Sequence, residues 1–129
     1  MPENPPRPTD AELEILTVLW SRGPSTVREV YETLHRRRRS AQYSTVLKFM
    51  QIMTEKGLVR RNEDQRAHIY EPARSAAWTR KQLAGHLLER AFNGSAKALL
   101  MGALSARKAT KEELAGIREL LDEYNKETK

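Results

Sequence analysis

Apolar residues recur at spacings of three and four along most of this chain, and the pattern breaks at a few turn-forming positions. Thr9-Asp10-Ala11-Glu12 has the T-x-x-E form of a capping box, in which the threonine caps a helix and the glutamate reaches back. The helix it opens carries Leu13, Leu16 and Trp20 on one stripe with Ile15 and Leu19 beside it, and Gly23-Pro24 ends it. Ser25 is expected to cap a second helix over 26–37, with Val27, Val30, Tyr31 and Leu34 as its apolar positions. The run Arg36-Arg37-Arg38-Arg39-Ser40 interrupts the pattern and turns the chain into a third helix. There Val46, Met50 and Met53 line one side, while Ser44, Thr45, Lys48, Gln51 and Glu55 fall on the other. Gly57, tolerant of left-handed backbone angles, closes that helix. Leu58-Val59-Arg60-Arg61 and Ala67-His68-Ile69-Tyr70 then read as two short strands about a polar tip at 62–66.

Pro72 closes the hairpin, and the composition shifts to Ala, Leu, Arg, Lys and Glu. A helix is expected over 76–92, with Leu83, Leu87 and Leu88 apolar and Asn93-Gly94 as its stop. Ser95 can cap another over 96–106, which carries Leu100 and Leu104. Thr110-Lys111-Glu112-Glu113 has the form of a second capping box, opening a helix with Leu114, Ile117, Leu120, Leu121 and Tyr124 on its apolar side. Helices this short are marginal alone in water and take their stability from packing. Three of them cannot bury stripes this wide on one another. Leu83, Leu87, Leu88, Leu100, Leu104, Ile117, Leu120 and Leu121 are therefore expected at an interface with the same segment of a second subunit. An ordinary bundle within one chain is the alternative. The expected fold is mainly α with a small β wing. A short disordered arm over 1–8 precedes a winged helix-turn-helix domain over 9–72, and a helical dimerisation domain over 73–129 follows.

Composition narrows the function. With 129 residues there is room for one domain, or a small domain with an appendage. No run approaches the roughly 20 apolar residues that span a bilayer, and the proline-rich start lacks the apolar stretch of a secretory signal. Cysteine is absent, which excludes disulfides and thiolate metal sites and makes the cytoplasm the expected location. The net charge of +6 favours a polyanionic partner, and its placement says more than its size. Between residues 36 and 70 there are nine Lys or Arg against three Asp or Glu, whereas residues 7–35 hold three against five. His35, His68 and His86 lack the spacing of a zinc site. The six glycines form no phosphate loop, and carboxylate pairs such as Glu12 with Glu14 or Glu112 with Glu113 sit at helix starts expected to be solvated. No enzyme activity, cofactor or metal is expected.

A helix with short hydroxyl and amide side chains facing outward, bordered by arginines, suits the major groove, where base edges distinguish all four pairs. Gln42, Ser44, Thr45 and Lys48 are the expected base readers, and Tyr43 can pack on the sugar-phosphate backbone. Arg36, Arg38 and Arg39 would straddle the backbone ahead of that helix, with Arg60, Arg61 and Arg66 contacting DNA from the wing. Two plainer readings stand beside these: the arginine run as a solvated helix end that suits the macrodipole, and Thr45 as a buried residue holding the helix start. Trp78 reads as an anchor at the domain junction or as one wall of an effector pocket. A winged-helix module for protein partners and a ligand-sensing regulator are the alternative functions.

The pieces Asp10-Ala11-Glu12-Leu13-Glu14-Ile15-Leu16, Leu19-Trp20 and Gly23-Pro24-Ser25-Thr26-Val27-Arg28-Glu29-Val30 come first in a longer series. Tyr43-Ser44-Thr45-Val46, Glu55-Lys56-Gly57-Leu58-Val59 and Arg66-Ala67-His68-Ile69-Tyr70 complete it. In this order they resemble the BlaI/MecI/CopY family of bacterial winged-helix repressors, the penicillinase repressor type. The resemblance implies a homodimer that sits on inverted-repeat operator DNA and blocks transcription. In the β-lactamase-type members a sensor-triggered protease cuts an Asn-Phe bond in the C-terminal helices. The corresponding positions here are Gly102-Ala103, which puts induction by cleavage, and partnership with a membrane sensor or protease system, in doubt. Copper sensing through a cysteine-rich tail, as in other members, is excluded.

Overall fold

Thr9 and Glu12 exchange both bonds of a capping box: Glu12 N–H donates to Thr9 Oγ1 at 3.2 Å, and Thr9 N–H donates to Glu12 Oε1 at 2.9 Å. They open α1 (Asp10–Arg22) in a computed structural model that describes residues 6–128. Most of the expected N-terminal arm falls on residues 1–5 and lies outside the described residues. A second capping box, between Thr26 and Glu29, opens α2 (Val27–Arg37). The cap is Thr26 and not Ser25, as the sequence suggested. Ser25 is instead drawn into the wing: its N–H donates to Tyr70 O at 3.0 Å, and its carbonyl accepts from Tyr70 N–H at 2.8 Å. Its hydroxyl donates to Gly23 O and accepts from Arg22 Nε, which satisfies a fully buried side chain.

The third helix, α3 (Tyr43–Lys56), ends at Gly57, whose φ of 82° is left-handed. Gly57 N–H donates to Thr54 O and Leu58 N–H to Met53 O, the paired bonds of a Schellman motif. Leu58 thus completes the helix end, and the wing strands run β1 (Val59–Asn62) and β2 (Ile69–Pro72), one and two residues later than expected. They pair antiparallel, with Val59 opposite Pro72 and Asn62 opposite Ile69. Ala67 and His68 join the exposed tip. Three helices and a two-stranded wing make a winged helix-turn-helix arrangement, as expected.

The core of this part is Ile15, Leu16, Val18 and Leu19 of α1, Val27, Val30 and Leu34 of α2, and Val46, Met50 and Met53 of α3, with Leu58, Val59 and Tyr70. Each large side chain taken out of water contributes roughly 1.5–3 kcal/mol. The buried face of α1 is wider than the Leu13-Leu16-Trp20 stripe, since Leu13 and Trp20 are only half-buried while Val18 is enclosed. The reason is that α1 packs on α2, α3 and β2 together.

Glu12 departs furthest from expectation. It belongs to no solvated helix start; its side chain is 2% exposed. Lys56, at the end of α3, donates its Nζ to Glu12 Oε2 at 2.8 Å. Burial pushes the Glu12 carboxyl upward. The Lys56 bond and charge and the Thr9 bonds outweigh it and leave the group below its ordinary 4.5. A depressed carboxylate stabilises the fold above its unfolded value and loses that contribution as pH falls through the folded one. Glu12→Gln is therefore expected to lower stability by about 1–3 kcal/mol at neutral pH, the cost of losing a charged hydrogen bond at a buried site. Urea unfolding at a series of pH values should show the gap from the parent shrinking below pH 4.5. A gap independent of pH down to strong acid would contradict the pairing.

The remaining elements are α4 (Ala76–Ala91), α5 (Ala96–Ala106) and α6 (Lys111–Glu127). Gly94 N–H donates to Leu88 O across the left-handed Asn93, stopping α4 one residue earlier than expected. Ser95 Oγ caps α5 through Ala98 N–H, and Thr110 Oγ1 caps α6 through Glu113 N–H. Only the threonine half of the expected second capping box forms among the described residues. The chain divides into two compact units between Leu83 and Ala84, inside α4. The first includes Trp20, whose Nε1 donates to Arg74 O at 3.0 Å, and half-buried Trp78 with the Arg74 guanidinium 4.6 Å from its ring. In the second, no described side chain from residue 84 to residue 128 is fully buried. No helix among the described residues is long and apolar enough to cross a membrane.

Candidate nucleic-acid interface

Val46, Met50 and Met53 turn into the core, so the opposite side of α3 must face outward. Ser44, Lys48, Gln51 and Glu55 occupy that side, and all are exposed together with Gln42 and Thr45. Thr45 is not the buried holder of the helix start that the plainer reading allowed. Gln42 is the N-cap and makes no capping bond with its side chain. Among the described residues, no hydrogen bond or ion pair engages the side chains of Gln42, Ser44, Thr45 or Lys48. They are free to meet a ligand. Tyr43 is less free. It is 37% exposed, with the Arg28 guanidinium 4.9 Å from its ring centroid and the Tyr31 ring edge-on at 5.7 Å.

Exposed cations precede α3 in the chain and follow it in the wing. Arg36 and Arg39 are exposed at and beyond the end of α2, and Arg66 at the wing tip. Arg38 is exposed too, although its Nη2 reaches Glu14 of α1 at 3.0 Å. Arg60 faces Glu71 across the wing at 3.7 Å, and Arg61 donates its Nε to Glu63 at 2.6 Å. Exposed pairs of this kind hold their charges loosely, worth roughly 0–1 kcal/mol, so a phosphate can displace them. The tip itself is shaped by Asn62, whose Oδ1 accepts from Asp64 N–H at 2.9 Å.

Between the start of α2, the start of α3 and the wing runs an open groove of about 650 Å³, lined in part by Arg28, Glu29, Glu32, Tyr43, Arg66 and His68. Thr26 N–H donates to Glu29 and holds its carboxyl below the ordinary range; partial burial opposes this, and Arg22 at 3.2 Å adds to it. Glu29 is thereby committed to capping α2. The sequence reading left out Arg28, which lies on this groove. Its signal was present in the spacing of Arg28, Tyr31 and His35 along one side of α2.

The residues expected at a subunit interface are divided. Leu83 falls in the first unit and is half-buried, as are Leu88, Leu100 and Ile117 in the second. Leu87, Leu104, Leu120 and Leu121 are exposed, and so are Leu114, Tyr124 and Met101, none of which is in the expected interface set. Met101 could have been found from its place one position after Leu99-Leu100 on the same apolar helix.

Comparison with known proteins places this geometry. Two curated relatives, each the transcriptional regulator BlaI from a strain of Mycobacterium tuberculosis (CDC 1551 / Oshkosh and ATCC 25618 / H37Rv), are 45% identical over 64 residues. That stretch is 49% of this chain and 46% of theirs, so the match spans about half the length of either relative. The solution structure of the DNA binding domain of the repressor BlaI shares the fold, with a TM-score of 0.51 at 22% identity. It covers 59% of this chain and 92% of that domain. The penicillinase repressor family pattern matches residues 8–123, and the chain belongs to that family.

Proposed function

We propose that the chain is a sequence-specific DNA-binding repressor of transcription that acts in the cytoplasm as a homodimer on inverted-repeat operators. Residues 9–72 read the DNA, and residues 73–129 join the two copies. The observation that carries this reading is the outward face of α3: Gln42, Ser44, Thr45 and Lys48 stand exposed and unengaged, preceded in the chain by exposed Arg36, Arg38 and Arg39 and followed by exposed Arg60 and Arg66 of the wing. Base edges in the major groove ask for such donors and acceptors at a helix N-terminus. Arginines on both flanks supply the phosphate contacts that fix register. The family and the names of the BlaI relatives support a regulatory role, and no catalytic step is assigned.

The dimer is supported by the second unit, where Leu87, Leu104, Leu114, Leu120, Leu121 and Tyr124 are exposed and no described side chain is fully buried. Large apolar side chains left exposed in that number support an association site. A closed twofold pair covers it with the same surface of a second copy. The test is binding-site selection from random duplex DNA with the purified chain. The expected product is a near-palindrome whose half-sites lie about 10–10.5 base pairs apart, or a multiple of that. Recovery of no shared motif would sink the reading.

A further inference from the structure

The start of α3 is the part that must be aimed most closely at a base edge, yet its first three residues send no side chain into the core. Tyr43, Ser44 and Thr45 are all exposed, the first buried side chain is Val46, and the N-cap makes no side-chain bond. What touches this turn is a stripe on α2. Arg28, Tyr31 and His35 lie at spacings of three and four and so share one side of that helix. The Arg28 guanidinium sits 4.9 Å from the Tyr43 ring centroid, and Tyr31 meets Tyr43 edge-on at 5.7 Å. Tyr31 also lies against His35, with ring centroids 5.3 Å apart. His35 Nδ1 in turn bonds the Ala41 carbonyl at 3.3 Å, in the turn just before α3. A carbonyl oxygen only accepts, so Nδ1 carries the proton in this contact.

We infer that this stripe is the positioning device for sequence reading: it sets the rotation of the first turn of α3 and thereby selects which side chains meet the bases. The inference rests on the DNA-reading role proposed above. A rotation of about 100° on the helix exchanges one residue for the next on the outward side. A loosened first turn presents a mixture of side chains to the groove. Phosphate contacts come from separate arginines and are insensitive to that rotation. The stripe therefore governs discrimination between sequences while leaving general affinity for duplex DNA as it is.

The test compares affinity for the duplex enriched by selection with affinity for a scrambled duplex of the same length and salt. His35→Ala is expected to lower that ratio about tenfold, near the discrimination that one good base contact provides. Scrambled-duplex affinity and the thermal unfolding midpoint are expected to stay close to the parent's. His35→Asn, whose amide places a donor near the position of Nδ1, is expected to restore the ratio. Arg28→Lys, which keeps the charge at an exposed position but loses the guanidinium stacked on Tyr43, gives a second reading that does not depend on folding of the His35 variants, and its ratio is expected to fall as well. An unchanged ratio in H35A and R28K, or equal losses on both duplexes, overturns the positioning role while leaving the DNA-reading role intact. A parent that binds both duplexes equally overturns the DNA-reading role and this inference with it.

Discussion

Leu120→Asp is expected to turn the protein into a monomer and to weaken its grip on a two-half-site duplex by on the order of 10²-fold or more, within the range that linking two binding modules confers. Leu120 is 51% exposed on α6, beside Leu121 and near the turn of helix that carries Tyr124. A carboxylate introduced there must be stripped of water or keep the second copy away, and the second outcome costs less. Sedimentation of the variant should give the mass of one chain where the parent gives two. The winged domain has its own core in Ile15, Leu19, Met50 and Met53, so its cooperative unfolding should persist. A variant shown to be monomeric that binds the duplex as the parent does would break the link between dimer and operator.

Salt provides the second large effect. Between about 50 and 200 mM salt, affinity is expected to fall about 10³–10⁵-fold if the dimer neutralises roughly six to ten phosphates. The structure narrows the source of that charge. Of the nine cations between residues 36 and 70, Lys56 is held by Glu12, and Arg38, Arg60 and Arg61 face Glu14, Glu71 and Glu63. Five per subunit remain without a carboxylate partner among the described residues: Arg36, Arg37, Arg39, Lys48 and Arg66. A dimer thus brings ten, the upper end of the range, before any exposed pair opens. The slope of log affinity against log salt measures the number engaged. A slope near zero would contradict the placement of charge.

Where a helix boundary is written in local chemistry, it was legible. Thr9 with Glu12, Gly57, Ser95 and Thr110 each cap an end through a bond to a residue a few positions away, so sequence spacing alone exposes them. What escaped depends on distant residues. Ser25 is a good cap by type, but Tyr70 recruits its backbone, and the Thr26–Glu29 box one residue later does the capping. Glu12 reads as a solvated acid until Lys56, 44 residues on, reaches it. β1 begins one residue later than its apolar run because Leu58 is spent on closing α3. In the candidate site, all eleven residues assigned to DNA from sequence are exposed. Alternation of buried and outward positions on α3 explains that exposure for Ser44 and Lys48. The contacts that hold Tyr43 went unseen because the spacing of Arg28, Tyr31 and His35 marks a stripe on α2 without saying which residue of α3 it meets.

The central claim is that the outward face of α3 reads base sequence. It is tested most directly by titrating the purified full chain with the selection-enriched duplex and with its scrambled counterpart at low ionic strength, under identical conditions. Specific sites are commonly bound about 10³–10⁷-fold more tightly than random DNA, and a preference of at least the lower figure is expected here. Equal affinity for the two duplexes, with the protein folded and dimeric, would contradict the account.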